Sequence, residues 1–280
     1  MNTILIPTDF SNTSKNAIQY AIALAQHFDI QKIILYHAWE YIPVSSDPLM
    51  ETGESLTIGV LQKSIQENMD NFVKEINNLN NTAIEIQAVN EYTNLADGIK
   101  QTCADDTSIG LIIMGITGND KQNYSVMDDG VASITQHLRL PIIMIPSQAK
   151  FSGIQNVVLA CDFKHIDNSF PANTVNNFLQ KLKAKVLVLN VSAGAEYNTQ
   201  TDVHAGVDFL RNQLQAFSPE FHFIESSNIS MGIHQFAEEK NAQFIIVLPK
   251  KHGWFESLFK KSHTQQLAHY SNIPLLTVPE

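Results

Sequence analysis

The residues able to do chemistry in this chain of 280 residues stand at a few marked places. Two Asp-Phe pairs, Asp9-Phe10 and Asp162-Phe163, each close a short apolar run, NTILIPTDF over 2–10 and QNVVLACDF over 155–163. His37 falls at the end of another run, KIILYHAW. It reads either as a partly buried strand-end histidine or as a contact to the ribose or base of a ligand. An acidic pair, Asp128-Asp129, either caps the last helix of its half, where carboxylates suit the positive end of the helix dipole, or holds a Mg²⁺ that bridges to phosphate oxygens. Near the C-terminus Lys250, Lys251, Lys260 and Lys261 surround one acid, Glu256, with Trp254, Phe255, Leu258 and Phe259 between them. That stretch suits a phosphate or an acidic partner; the plainer reading is a solvated loop and helix start whose aromatics pack on the neighbouring unit or on a partner.

Several chemistries have no residues to carry them. The sequence has no Gly-Lys-Ser/Thr phosphate loop, no Gly-x-Ser-x-Gly elbow and no His-Glu-x-x-His. The ten histidines lack the i, i+4 spacing that sets two ligands on one helix face, so neither a metal centre nor a catalytic set is expected. Cys103 and Cys161 read as buried thiols of a reduced, cytoplasmic protein. No leader with a charged start and apolar core is seen, and no apolar run approaches the ~18 residues of a membrane span. The net charge is −10, which disfavours a nucleic-acid partner, because phosphate binding draws on Lys and Arg. Residues 1–150 hold 8 basic against 17 acidic residues and 151–280 hold 10 against 11, so nearly all of that charge lies in the first half.

The elements that position these residues repeat. The Asp-Phe pairs are 153 positions apart, and each follows an apolar run of the kind that forms a buried parallel strand. A helix follows each, with Ala17, Tyr20, Ala21, Leu24 and Phe28 on one face in the first half and Val175, Phe178, Leu179 and Leu182 in the second. Then come the strands KIILYHAW and AKVLVLNVS. Next is a longer amphipathic helix, carrying Leu61, Ile65, Met69, Phe72, Ile76 and Leu79 in one half and Val203, Val207, Leu210, Leu214 and Phe217 in the other. Third strands, AIEIQAVN and EFHFIESSN, lead to helices around 94–106 and 230–242. The fourth strands GLIIMG and AQFIIVL, a helix each, and the last strands PIIMIP and PLLTVP complete the units. The first half is longer, and the excess is expected mostly in a loop, YIPVSSDPLMETGE.

This alternation predicts an α/β fold: two tandem five-stranded parallel open sheets with helices on both faces. The expected domains are 1–147 and 153–280, with a linker at about 148–152 where the periodicity stops. Ligands of such sheets bind beyond the carboxyl ends of the strands, where the strand order reverses. That directs attention to Thr8-Asp9, His37-Ala38, Gly115 and their counterparts.

ILIPTDFSNTSKNAIQYAIALA resembles the opening of universal stress protein domains, LIIMGITG their fourth strand and Gly-x-x-Gly turn, and PIIMIP their last strand. The C-terminal stretch from FIIVLPKKHGWF to PLLTVP is similar to tandem members of that family from Bacteroidetes. The resemblance covers nearly the whole chain. It implies a flavodoxin-like or adenine-nucleotide α-hydrolase-like sheet, an adenine nucleotide such as ATP as the ligand of many members but not of others, to which the acidic pair of this chain would add Mg, and pairing of units through their last strands. It gives the first-strand aspartate an adenosine contact and a Gly-2x-Gly-9x-Gly-Ser/Thr motif the phosphates, through backbone N–H groups that glycine brings close.

The motif is only partly present. Carried onto this chain, it makes Pro7, Thr8, Asp9, Ala38, Gly115 and Gly118 the first candidate binding set. Nine residues after Gly118 stand Asp128-Asp129 instead of Gly-Ser; like charges at 4 Å cost ~1 kcal/mol in water and ~4 kcal/mol near a protein surface. The second half has no Gly-x-x-Gly, but the family spacing puts Lys261-Ser262 at the Gly-Ser position, so Asp162, Ser262 and His263 form a second, weaker set. The resulting expectation is a non-catalytic stress-response regulator, a pseudo-dimer within one chain, with a partial nucleotide site. The alternatives are a nucleotide-independent scaffold that engages a protein partner through 250–263, and a weak Mg-dependent ATP hydrolase. Further association into a homodimer stays open.

Overall fold

A computed structural model describes residues 2–41, 51–116, 134, 138–163, 166–192, 200–248 and 272–279. The first half runs β1 (Thr3–Pro7), α1 (Asn12–Ala25), β2 (Lys32–Trp39), α2 (Glu51–Leu79), β3 (Glu85–Tyr92), α3 (Leu95–Asp105), β4 (Ile109–Ile116) and β5 (Ile142–Pro146). The second runs β6 (Asn156–Ala160), α4 (Ala172–Leu182), β7 (Lys185–Ser192), α5 (Gln200–Gln213), β8 (Glu220–Glu225), α6 (Ile229–Glu239), β9 (Phe244–Val247) and β10 (Leu275–Thr277).

The helices begin where side chains can satisfy their free N–H groups. Ser11, Asn94 and Asn228 cap α1, α3 and α6, each accepting from the N–H three residues on. Such caps are worth about 1 kcal/mol each. α4 stops at Lys183, which takes the left-handed conformation with φ 51°.

Each half has the strand order 3-2-1-4-5 with every pair parallel. The two halves do not stay separate sheets. β10 runs antiparallel to β5, with Leu276 opposite Ile143, and the result is one ten-stranded sheet, β3-β2-β1-β4-β5-β10-β9-β6-β7-β8. The last strands thus pair within the chain, closing two edges that would otherwise be open to other chains. A ladder as short as β10 holds by burial on both faces. Alternation sends Ile4, Ile33, Ile143, Leu159 and Leu276 to the face covered by α1, α2, α4 and α5, and Leu5, Ile34, Met144, Val158 and Ile245 to the face covered by α3 and α6. Both cores run across the seam. The turn after α1 meets α4 there through Phe28 and Phe178, with ring centroids 5.2 Å apart, and through the Asp29–Lys181 ion pair.

Three expectations change. ETGE belongs to α2 rather than to a loop, since the helix starts at Glu51. α2 also overshoots the sheet: Met69, Phe72 and Ile76 are buried, but Leu61 and Leu79 are 36% and 47% exposed. The helix has 29 residues, about 43 Å at 1.5 Å each, and the strands beneath it are too short to cover both ends. In the second half Leu214 and Phe217 lie beyond α5, Phe217 in a 3₁₀ turn.

The chain between the halves is docked rather than loose. Asn16 of α1 is buried and donates to the carbonyls of Pro146 and Ala149 at 3.2 and 2.9 Å. Lys150 donates back to Asn16 Oδ1 at 2.7 Å, and Phe151 packs edge-on against Tyr20.

Candidate functional site

In the first half the strand order reverses between β1 and β4, so the carboxyl ends of β1, β2 and β4 frame the candidate site. Pro7 ends β1 and is buried. The next residues form a turn held by its own side chains. Thr8 N–H donates to Tyr36 O at 2.8 Å. The Thr8 hydroxyl accepts from Phe10 N–H at 3.1 Å and donates to Ser14 Oγ at 3.0 Å, and Ser14 Oγ donates to Ser11 O at 2.9 Å. Asp9 Oδ1 accepts from Ser11 N–H at 3.1 Å. This network holds Phe10 at φ 63°, a conformation that costs a non-glycine residue about 1 kcal/mol or more. Asp9 is half-buried at the lip of the crevice.

His37 straps this turn to β2. Its Nδ1 lies 2.7 Å from Thr8 O, and its ring lies 4.5 Å from that of Phe10. Burial holds its pKa below the usual histidine value; the Thr8 bond and the nearby Asp9 charge oppose that only in part. Ala38 follows it, half-buried. Gly115, near the end of β4, has a packing reason to be glycine: a Cβ there would lie 2.8 Å from Thr13 O in the first turn of α1. Gly118, Asp128 and Asp129 lie outside the described residues.

The second half repeats the strap with other residues. Asn190, 153 positions after His37, donates through Nδ2 to Cys161 O at 3.2 Å, and Cys161 N–H donates to Leu189 O at 3.1 Å. Asp162 is half-buried at the end of β6. Its crevice is more crowded. Phe163 is fully buried and meets Phe221 and Phe223, with centroids 6.2 and 5.5 Å away. By register Phe221 stands opposite Val188, as Ala88 does opposite Leu35, and Phe223 opposite Asn190, as Asn90 does opposite His37. α5 also presses on this turn, for a Cβ at Gly206 would lie 2.3 Å from Phe163 O. Ser262, His263 and the lysine-aromatic stretch 250–261 lie outside the described residues. Because the seam is antiparallel, the two candidate sites open at opposite ends of the sheet.

Sequence reasoning placed Asp9, Ala38 and Gly115 on neighbouring strand ends but missed the paired straps. The 153-residue spacing, applied to the second strand as well as the first, would have found His37 and Asn190 together. Cys103 is half-buried, and its thiol is pushed up to about 11, mainly by burial, which leaves it unreactive at neutral pH. Among the described residues no group of three or more His, Cys, Asp or Glu is placed to hold a metal ion, and no helix is long and apolar enough to cross a membrane. One cavity, of about 440 Å³, lies at the seam, lined by Arg139, Pro141, Phe170, Thr174 and Pro279 among others; no predicted site residue lines it.

A mostly parallel, doubly wound sheet with helices on both faces defines a class of α/β proteins. The comparisons narrow that class. The profile of the Universal stress protein family matches residues 1–146 and again 156–279. The chain belongs to the universal stress protein family, as a tandem member. A universal stress protein from Archaeoglobus fulgidus is similar in structure over 100% of this chain and 96% of its own, with a TM-score of 0.66 and 16% identity. The cytoplasmic domain of a prokaryotic cation chloride cotransporter is similar over 98% of this chain and 94% of its own, with a TM-score of 0.54 and 9% identity. At such identities the likeness is one of fold. No curated protein matches the chain.

Proposed function

We propose that this tandem universal stress protein is a cytoplasmic, non-catalytic regulator that binds an adenine nucleotide in its first half. Pro7, Thr8, Asp9, Ala38, Gly115 and Gly118 form the site, and Asp162, Ser262 and His263 a weaker second one. Residues 1–147 and 153–280 serve as its two domains, joined by 148–152. The observation that carries the reading is the turn at the end of β1. Four side-chain hydrogen bonds and a left-handed Phe10 hold the Asp9 carboxylate at the switch point, and Ala88 and Asn90 stand where the second half has two phenylalanines. A rigid acceptor at a strand end, with Ala88 and Asn90 on β3, fits the hydroxyls of an adenosine. Backbone at the end of β4 would meet the phosphates, with Mg²⁺ to offset the acidic pair Asp128-Asp129.

Calorimetric titration of the full chain with ATP and AMP, with and without Mg²⁺, tests this. ATP is expected to bind, and Asp9→Ala to weaken it about tenfold, the order of a lost charge-assisted hydrogen bond. No heat and no thermal shift at millimolar nucleotide would sink the proposal. Phe163, closed in by Phe221 and Phe223, favours a second reading for the other half, that of a protein-binding module using 250–263. ATP turnover lost on replacing Asp128 or Asp129 would instead point to a weak Mg-dependent hydrolase.

A further inference from the structure

The strap at the end of β2 settles which way one side chain can bond. The partner of His37 Nδ1 is the carbonyl oxygen of Thr8, at 2.7 Å. A carbonyl oxygen can only accept, so Nδ1 carries the hydrogen. In a neutral imidazole the other nitrogen, Nε2, then offers a lone pair and no hydrogen. Burial holds the His37 pKa below the usual histidine value, which favours the neutral ring. No other hydrogen bond to this ring occurs among the described residues, and Nε2 is not a buried atom without a partner. The ring stands beside Phe10, 4.5 Å between centroids, and within the field of Asp9. The second half supplies the contrast: Asn190 makes the same strap to Cys161 O with an amide, which ends where the far nitrogen of an imidazole begins.

We propose that His37 is a specificity-determining residue, locked by Thr8 as an acceptor, whose Nε2 receives a hydrogen bond from an N–H or O–H donor on the bound nucleotide. The inference rests on the reading that the first half binds an adenine nucleotide. Two donors on that ligand share the required chemistry, the 6-amino group of the base and a ribose hydroxyl. A 6-oxo purine presents an acceptor at the first of these positions and would face the Nε2 lone pair unfavourably.

The test is calorimetric titration of the full chain, wild type and His37→Asn, with ATP, ITP, 2′-deoxy-ATP and 3′-deoxy-ATP. His37→Asn follows Asn190, keeps the strap and so is expected to melt at an unchanged temperature. In the wild type, at least one of the three analogues is expected to bind about tenfold more weakly than ATP, and the analogue whose deficit His37→Asn removes names the donor to Nε2, a deficit that survives the substitution belonging to Asp9. A wild type that binds ATP without discriminating any analogue, or a variant that keeps every discrimination of the wild type, overturns this inference and leaves the nucleotide reading standing. Failure of the wild type to bind ATP overturns both. Nitrogen NMR of the imidazole gives a further check without any ligand: Nδ1 protonated and Nε2 bare is the expected form, and a proton on Nε2 overturns the inference.

Discussion

At the scale of single residues, Gly115 shows how one residue can satisfy two demands. The proposed site would use it for a phosphate; the packing uses it for α1, because Thr13 O would lie 2.8 Å from any Cβ at that place. Backbone on both sides leaves little room to yield. Gly115→Ala is therefore expected to destabilise the nucleotide-free protein by about 1–3 kcal/mol, the usual cost of overpacking, as read from the midpoint of urea unfolding. A glycine needed only for phosphate would leave that midpoint where it is. The residues of the β1 turn were readable in the sequence because each follows a strand of obvious pattern. The reason for Gly115 was not, since it depends on the contact between β4 and a helix about a hundred positions earlier.

At the scale of elements, the connection between the halves is the clearest case. The residues after β5 have no periodicity and read as a linker, yet they lie along α1 because Asn16 offers its whole amide to them. A buried amide with three partners is costly to remove, since two carbonyls and a lysine lose their bonds. Asn16→Ala is expected to cost about 2–3 kcal/mol, and to speed cleavage between 147 and 153 in limited proteolysis. Equal cleavage of the two proteins would show that the connection is not held by α1. The amphipathic stripe of α2 was legible as a stripe, but not where it stops being covered. A helix pattern says which residues share a face; only the length of the strands beneath decides how many of them reach a core, as exposed Leu61 and Leu79 show.

At the scale of the whole molecule, three histidines among the described residues sit where burial disfavours charge: His37, His222 and His234. Each is held below the ordinary value of 6.5 in the folded protein, chiefly by desolvation. The unfolded chain takes up protons first as pH falls through that value, so stability is full above about pH 6.5 and declines below it. Thermal unfolding is expected to show a melting temperature that is flat from pH 8 to 7 and lower at pH 5.5. His37→Asn should flatten part of that decline; an unchanged profile would place the titration elsewhere.

The sequence by itself determined the repeat, the order of strands and helices, the family, and the strand ends where Asp9, Ala38, Gly115 and Asp162 stand. Those are local matters, carried by apolar periodicity and by a spacing of 153 between like residues. Tertiary structure alone decided that β5 and β10 join two sheets into one, that Phe163 closes one crevice on Phe221 and Phe223 while Phe10 borders the other, and that His37 donates through Nδ1 to Thr8 O and so offers Nε2 as an acceptor. Strand pairing, ring packing and the partner of an imidazole nitrogen are set by residues far apart in the chain, and no window of sequence contains both members of the pair.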